Sequence, residues 1–196
     1  MLPAIINRRS IRKYKSIDVP KPMIEEILQS GMLAPSSKNR QPWKFIVVAG
    51  NAKKDMLEVM DRGLKREKEH PLLPKSAQYL SGGEYTLKIM EQAPVVIFIA
   101  NPLGIDIHSS LNSEERIYEI CNAQSIGAAI ENMTLTATEL GLGSLWICDT
   151  FFAYGELCDW LNVDGELFAA MTVGYADEIP LARPRKSMKD AVEWRD

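Results

Sequence analysis

Histidine is scarce in this sequence, which holds only His70 and His108 among its 196 residues. Neither histidine belongs to an HxxxH pattern or to a His/Cys cluster with zinc spacing, so a catalytic metal centre is not expected. A Ser-His-Asp or Cys-His triad would have to use one of these two residues, and no GxSxG pentapeptide is present. These absences argue against the common hydrolytic sites. If the protein is an enzyme, they indicate that a cofactor carries its chemistry.

Cysteine is also rare, and long apolar runs are missing. Cys121, Cys148 and Cys158 form no CxxC pair, and their odd number is typical of free thiols in a reducing compartment. The longest clean apolar run, Val95–Ala100, is far too short to span a bilayer. The first ten residues, MLPAIINRRS, lack the apolar core and the cleavage site of a signal peptide. We therefore expect a cytoplasmic protein without a membrane partner.

The sequence has no excess of positive charge, because its formal net charge is −3. This balance argues against a nucleic-acid partner, for which a broadly basic surface is expected. A cluster of cations nevertheless precedes the first acidic residue, Asp18: Arg8, Arg9, Arg12, Lys13 and Lys15. A local basic cluster on an acidic protein fits one small anionic ligand. The alternative is a solvated terminal patch, which charge alone favours.

Hydrophobic periodicity and turn residues predict helices and strands along the whole chain. Helices are expected from Pro3 and over 20–33, 52–69, 85–91, 114–140 and 154–161, and strands over 44–49, 94–100, 143–148 and 168–175. The chain has no internal repeat and no convincing linker. The pattern therefore favours a single domain over residues 1–196 with an α+β layered architecture.

Four segments carry more specific expectations. The helix over 52–69 is expected to be charged and exposed. Residues 70–83 contain two prolines and a glycine pair, which predict the least ordered part of the chain and a candidate mobile lid with hinges. The helix over 114–140 is apolar or small nearly all round after Ser125, which predicts burial in a core or at a subunit interface. The tail over 177–196 has no strong period and either frays or wraps a partner.

Three polar segments are candidate binding sites. The first, residues 8–14, reads RRSIRKY; arginine presents fixed donors that match a phosphate in bidentate geometry. The second, residues 34–43, reads APSSKNRQPW; its amides suit the mixed donor and acceptor edge of a heteroaromatic ring, and ordinary turn chemistry explains it as well. The third, residues 183–186, reads RPRK and is by itself a solvated basic run. The GLGS turn at 141–144 is either a tight helix-to-strand turn or a place of close ligand approach.

The order of these segments resembles the nitroreductase family of FMN flavoproteins. The resemblance rests on RRSIRKY and APSSKNRQPWKF, on GAAIENMTLTATELGLGS and LWIC, and on AAMTVGYA and PRKSMKDAV, in that order. Residues 70–83 and 101–113 have no counterpart among these motifs. The resemblance implies a three-layer α/β/α fold with a central, mainly antiparallel sheet. It also implies an intertwined homodimer with FMN at the subunit interface.

The resemblance assigns cofactor-binding roles to three groups of residues. The phosphate and the ribityl chain are assigned to Arg8, Arg9, Ser10 and Arg12, with Arg183 and Arg185 completing the phosphate site. The loop that approaches the flavin, often from the other subunit, contains Pro35, Ser36, Ser37, Asn39 and Gln41. The strand whose backbone amides face the flavin N5 and O4 edge contributes Gly143, Ser144, Ile147 and Cys148. Many members also carry an acidic residue early in the long helix, where this chain reads CNAQS over 121–125.

The resemblance finally implies an activity. An FMN oxidoreductase of this kind takes a hydride from NADH or NADPH and passes it to a nitroaromatic, a quinone or a similar acceptor. Donor and acceptor use one slot in turn, which gives ping-pong kinetics, and no catalytic side chain and no metal are expected. Two alternatives stay open. One is flavin fragmentation or reductive dehalogenation on the same fold, and the other is a protein that stores or senses flavin without turnover.

Overall fold

A computed structural model describes residues 1–195 and contains a four-stranded antiparallel sheet. The strands are β1 (Lys44–Ala49), β2 (Val95–Asn101), β3 (Gly143–Ile147) and β4 (Glu166–Gly174). Their spatial order is β1-β2-β4-β3, so β2 and β4 are central and β1 and β3 form the two edges. Asp196, the last residue of the predicted tail, lies outside the described residues.

The central strand β2 is buried on both of its faces. Val96 and Phe98 belong to one hydrophobic cluster, whereas Ile97 and Ile99 belong to another on the opposite side of the sheet. Successive side chains of a strand point to opposite faces. The unbroken apolar run of β2 therefore reflects a sheet that is covered on both sides.

Helices cover both faces of the sheet and make a three-layer structure. They are α1 (Pro3–Asn7), α2 (Lys21–Met32), α3 (Ala52–Glu69), α4 (Leu80–Gln92), α5 (Ser113–Glu139), α6 (Tyr154–Leu161) and α7 (Met188–Ala191). The helices α3, α4 and α6 pack on one face, and α2 and α5 pack on the other. The expected α/β/α layering is confirmed. Within residues 1–195, none of these helices combines the length and the apolar character needed to cross a bilayer.

The long helix α5 begins and ends with well-formed caps. Asn112 accepts hydrogen bonds from the amides of Glu114 and Glu115 at 2.9 and 3.0 Å, and the Glu115 carboxylate accepts the Asn112 amide in return. At the other end Gly141 has a positive φ of 73°, and the chain closes with a hydrogen bond from Leu142 N–H to the Ala137 carbonyl. These local signals explain why the predicted bounds differ from the observed ones by only a residue.

The segment before β2 differs from its prediction. The helix α3 buries one face, with Met56 and Met60 inaccessible to solvent, so it is amphipathic rather than generally exposed. The chain then bends at 71–73, where the buried Glu67 carboxylate accepts the amides of Leu72 and Leu73 at 3.0 and 2.7 Å. The predicted glycine hinge is wrong, because residues 82–83 lie inside α4.

Candidate cofactor site

The early arginine-rich segment is fixed against the edge strand β3. Ile11 N–H donates to the Ser144 carbonyl at 2.9 Å, and Ser10 and Ser144 form a parallel bridge. The buried Tyr14 hydroxyl donates to the Ile11 carbonyl at 2.9 Å and lies 2.8 Å from Thr172 Oγ1. Burial raises the pKa of Tyr14, so the hydroxyl keeps its proton and remains a donor. Residues 10–14 therefore extend the sheet and have a fixed register.

Gly143 permits this close approach. A Cβ atom at this position would lie 2.7–2.9 Å from three atoms of the buried Ile11 side chain. Contacts this short are not tolerated between real carbon atoms. Gly141 supplies the helix cap. The two glycines of the GLGS turn thus serve the helix-to-strand turn and the packing of Ile11.

A cavity of about 280 Å³ brings the two basic segments together. It is lined by five arginines, Ser10 and a short apolar wall: Arg8, Arg9, Ser10, Arg12, Arg183, Arg185, Ile5, Ile6, Pro180, Leu181 and Ala182. Two segments from opposite ends of the chain thus share one concave surface. The cavity has the composition of a site for a small anion.

Most of these guanidinium groups contact only backbone carbonyls. Arg9 Nη1 donates to the Ile6 carbonyl at 2.8 Å, and Arg12 Nη1 donates to the Ser10 carbonyl at 3.2 Å. Among residues 1–195, Arg8 is the cavity arginine whose guanidinium forms an ion pair, since its Nε lies 3.6 Å from Glu131 Oε1. The other four arginines of the cavity form no ion pair inside the described part of the chain. An anion in the cavity would meet donors that are largely available.

Glu178 connects the two segments, and sequence reasoning missed it. Its carboxylate accepts the amide of Arg12 and, at 3.2 Å, the amide of Lys13. Asp177 N–H donates to the Lys13 carbonyl at 2.9 Å, which continues the pairing begun between Tyr14 and Ala176. An acidic residue after a strand gives no sequence signal for such a role, because its partners are backbone amides 165 or more positions away.

The polar loop 34–43 is held against α5 in an unusual backbone conformation. Ser37 N–H donates to Ser125 Oγ at 3.2 Å, and Gln41 N–H donates to Ser36 Oγ at 3.0 Å. Lys38, Asn39 and Gln41 have φ values of 53°, 53° and 50°. Such conformations cost free energy in non-glycine residues and concentrate at functional sites. Ser125 lies in the CNAQS stretch over 121–125.

This loop borders a second cavity of about 300 Å³. The cavity lies between the loop and one face of α5 and is lined by Pro35, Ser36, Ser37, Cys121, Gln124, Ser125 and Ala128. It shares no lining residue with the basic cavity. Asn39 and Gln41 do not line it; the Gln41 amide donates to Asn39 Oδ1 at 3.2 Å, and both residues are exposed.

The third group of candidate residues lies along β3. Ser144 and Ile147 are buried, so Ile147 can offer a ligand only its backbone. Cys148 follows the strand and is exposed. Partial desolvation, together with the neighbouring Asp149 carboxylate, raises the pKa of the Cys148 thiol. The sulfur is therefore a neutral thiol near pH 7 rather than a reactive thiolate.

A pair of carboxyl groups lies outside both cavities. Glu166 opens β4 and meets Glu119 of α5, close to Asn101 and Asp106. Burial, with Glu119 as the next cause, raises the pKa of Glu166 to about 7. Burial also raises the pKa of Glu119. Near neutral pH the pair therefore holds a proton that an exposed carboxylate would have lost.

Comparison with known proteins agrees with this architecture. The sequence model of the Nitroreductase family matches residues 5–175. A Methanothermobacter thermautotrophicus protein named NADH dehydrogenase/NAD(P)H nitroreductase is 33% identical over 146 residues. The matched region covers 74% of this chain but only 59% of that protein, which is less than two thirds of its length. A Bacillus subtilis protein named NAD(P)H nitroreductase is 27% identical over 189 residues, 95% of this chain and 89% of the relative.

The fold is also shared with solved structures. The structure of the FMN- and NADPH-dependent nitroreductase NfnB from Sphigopyxis sp. strain HMH superposes on this chain with a TM-score of 0.77 and is 20% identical in sequence. The superposition covers 98% of this chain and 97% of the other. The family match covers most of the chain, and the layered fold is the same. This chain belongs to the Nitroreductase family.

Proposed function

We propose that this chain is an FMN-dependent oxidoreductase that uses NADH or NADPH to reduce small acceptors such as nitroaromatics and quinones. The observation that carries the proposal is the basic cavity, in which residues 8–12 and 183–185 meet. The names of the relatives from Methanothermobacter and Bacillus, and of the NfnB structure, support the choice of donor and cofactor.

The donors in the basic cavity fit a phosphate monoester. Guanidinium groups recognise phosphate oxygens in bidentate geometry, and Ser10 adds a hydroxyl donor. A volume of about 280 Å³ lies at the lower end of cavities that hold a whole small ligand. The cavity therefore accommodates the phosphate and part of the ribityl chain, and the flavin ring lies on the neighbouring surface along β3.

A second copy of the chain completes the site in this proposal. The cavity beside loop 34–43 is separate from the basic cavity within one protomer. The chain also leaves large apolar side chains exposed on α1, on the first half of α5 and on the arm after β4, including Ile6, Ile117, Ile120 and Leu181. An intertwined homodimer buries these groups and brings Pro35, Ser36, Ser37, Asn39 and Gln41 of one protomer to the flavin held by the other.

The residues of the proposed site would orient the flavin and shield it from water. FMN supplies two-electron transfer between a nicotinamide and an acceptor when it is bound. Arg8, Arg9, Ser10, Arg12, Arg183 and Arg185 hold its phosphate end. The backbone of Gly143, Ser144, Ile147 and Cys148 would lie along one side of the ring, and the amides at the end of the strand would serve as hydrogen-bond donors to its polar edge. Loop 34–43 of the second protomer would reach the edge of the ring and border the side that stays open.

Covering one side of the ring leaves one open slot. Donor and acceptor then occupy the slot in turn, which predicts ping-pong kinetics. Parallel double-reciprocal plots against NADH or NADPH at several acceptor concentrations are expected. Intersecting lines would show that both substrates are bound together, and they would contradict the single slot.

The absorbance spectrum of the purified protein is the primary test. We expect a yellow protein that releases FMN on denaturation and is bleached rapidly by NADH or NADPH. Arg185→Gln should weaken FMN binding, whereas Arg195→Gln, which removes an equal charge already paired with Glu193 at 2.8 Å, should not. A colourless protein that takes up no FMN would refute the proposal. A flavin that neither nicotinamide bleaches would favour storage or sensing instead.

A further inference from the structure

Arg40 is a cation of the flavin-facing loop that none of the roles above uses. Its guanidinium carbon lies 4.4 Å from the centre of the Tyr118 ring, a cation–π geometry that fixes the orientation of the group. Arg40 N–H also donates to the Ser37 carbonyl at 3.1 Å, which ties the residue to the strained turn. No carboxylate within residues 1–195 forms an ion pair with it. Its donor edge is therefore available to a ligand.

Arg40 and Tyr118 do not line the second cavity, but each is close in sequence to residues that do: Arg40 follows Ser37 by three positions, and Tyr118 precedes Cys121 by three. Cys121, Ser125 and Ala128 line this cavity from α5. Residues three and four apart share a helix face, so Tyr118 occupies the same face one turn earlier. Tyr118 is 43% exposed within one protomer. The residues that line the cavity carry no charge, and Lys38 and Arg40 are the two cations of the adjoining loop.

We propose that Arg40, oriented by the Tyr118 ring, is a specificity-determining residue that selects aromatic acceptors carrying a carboxylate. The inference rests on the proposed function, in which loop 34–43 borders the substrate slot. The planar fork of arginine pairs with a carboxylate through two parallel hydrogen bonds. A diphosphate of the electron donor would require more positive charge than one guanidinium supplies, and the arginine cluster is in the other cavity.

A matched pair of acceptors tests the proposal. 4-Nitrobenzoate and 4-nitrobenzamide have similar size and shape but differ in charge. Wild-type protein with FMN bound should show the lower KM for 4-nitrobenzoate. Arg40→Gln should raise the KM for 4-nitrobenzoate about three- to fivefold, because a charge contact that solvent partly screens is weak, and leave the KM for 4-nitrobenzamide within about twofold. The kcat values should change little, because the contact is the same in the ground state and the transition state.

Further variants separate a binding role from a structural one. Arg40→Lys keeps the charge but not the fork, so it should restore only part of the preference. Tyr118→Phe keeps the ring and should resemble wild type, whereas Tyr118→Leu should lose part of the preference. Lys54→Gln removes an equal charge from the exposed side of α3, beyond the far end of β1, and should change nothing. The preference should also shrink as salt concentration rises.

A direct binding measurement complements the kinetics. Benzoate and benzamide are titrated into the oxidised, flavin-loaded protein, and the change in the flavin spectrum gives each dissociation constant. Arg40→Gln should weaken benzoate binding about three- to fivefold and leave benzamide binding unchanged.

The outcomes distinguish this inference from the proposed function. If neither nitro compound is reduced with NADH or NADPH, the proposed function fails. If 4-nitrobenzamide is reduced but Arg40→Gln leaves the carboxylate preference unchanged, only the role of Arg40 is overturned. That role is also overturned if Arg40→Gln raises the KM for NADPH and not that for 4-nitrobenzoate.

Discussion

Replacing Gly143 by alanine is expected to loosen the proposed phosphate site without introducing charge or polarity. The new Cβ would lie 2.7 Å from Ile11 Cγ1 and 2.9 Å from Ile11 Cβ and Cγ2. Carbon atoms pack at about 3.5–4.0 Å, so Ile11 must retreat by roughly 0.8 Å. Its hydrogen bond to the Ser144 carbonyl is now 2.9 Å, and this retreat takes the distance outside the normal range.

The size of the effect follows from these two changes. Overpacking a buried site costs about 1–3 kcal/mol, and losing a backbone hydrogen bond costs about 1 kcal/mol. The free energy of unfolding should therefore fall by about 2–4 kcal/mol. Ser10 and Arg12 flank Ile11 and move with it. The affinity for FMN should therefore fall about tenfold, which corresponds to the loss of one hydrogen bond to a charged group.

Urea denaturation of the flavin-free protein and quenching of FMN fluorescence measure the two effects. Gly155→Ala is the control, because its Cβ meets no atom within 4 Å and a helical alanine stabilises by up to about 1 kcal/mol. Adding Ile11→Ala to Gly143→Ala removes two of the three close atoms. The double variant should therefore lose less stability than the sum of the single ones. Strict additivity, or a Gly143→Ala protein as stable as wild type, would refute the reasoning.

Other substitutions probe the rest of the molecule. Arg12→Ala should weaken FMN ten- to a hundredfold, since hydrogen bonds to charged groups contribute about 1.5–3 kcal/mol, and leave riboflavin affinity unchanged; equal losses for both would show that Arg12 does not contact the phosphate. The pKa of Glu166 is raised to about 7 from 4.5, so the folded state loses stability as pH rises through this window. Thermal denaturation of Glu166→Gln should lack this loss, on the order of 1 kcal/mol after solvent screening, and an unchanged pH profile would contradict the assignment. Glu67→Gln should expose the 71–73 bend to limited proteolysis, with a loss of about 1–3 kcal/mol in urea denaturation; unaltered cleavage would show that the carboxylate does not hold the bend.

Elements with local signals were predictable from the sequence. The strand over 44–49 and the helix over 52–69 have the predicted bounds, because β-branched runs, apolar periodicity and turn residues act within a few positions. The long helix was equally clear, since its capping residues are adjacent in sequence. The meeting of residues 8–12 with 183–185 followed only from the family resemblance, because no local rule pairs such distant segments.

Features that depend on distant contacts were not predictable. The glycine pair at 82–83 suggested a hinge. Gly83 is instead a helical residue, and because it has no side chain, Leu64 and Phe152 can pack closely against the helix there. Glu178 and Tyr14 act on partners remote in sequence. Single-sequence patterns record propensity and burial, and they do not record which backbone groups a carboxylate or a hydroxyl meets after folding.

The basic cavity is assembled from residues at opposite ends of the described chain, and this has a consequence for biosynthesis. Closing so long a loop is slow and comes late in folding. A nascent chain can pair β1 with β2 before residues 183–185 have been synthesised, but it cannot yet offer all five arginines to a phosphate. If the proposed phosphate site holds the cofactor, flavin should bind only after synthesis of the arm, and binding should stabilise only chains whose arm is already in place. Cleavage within the exposed arm would release the cofactor while the sheet and its helices stay folded.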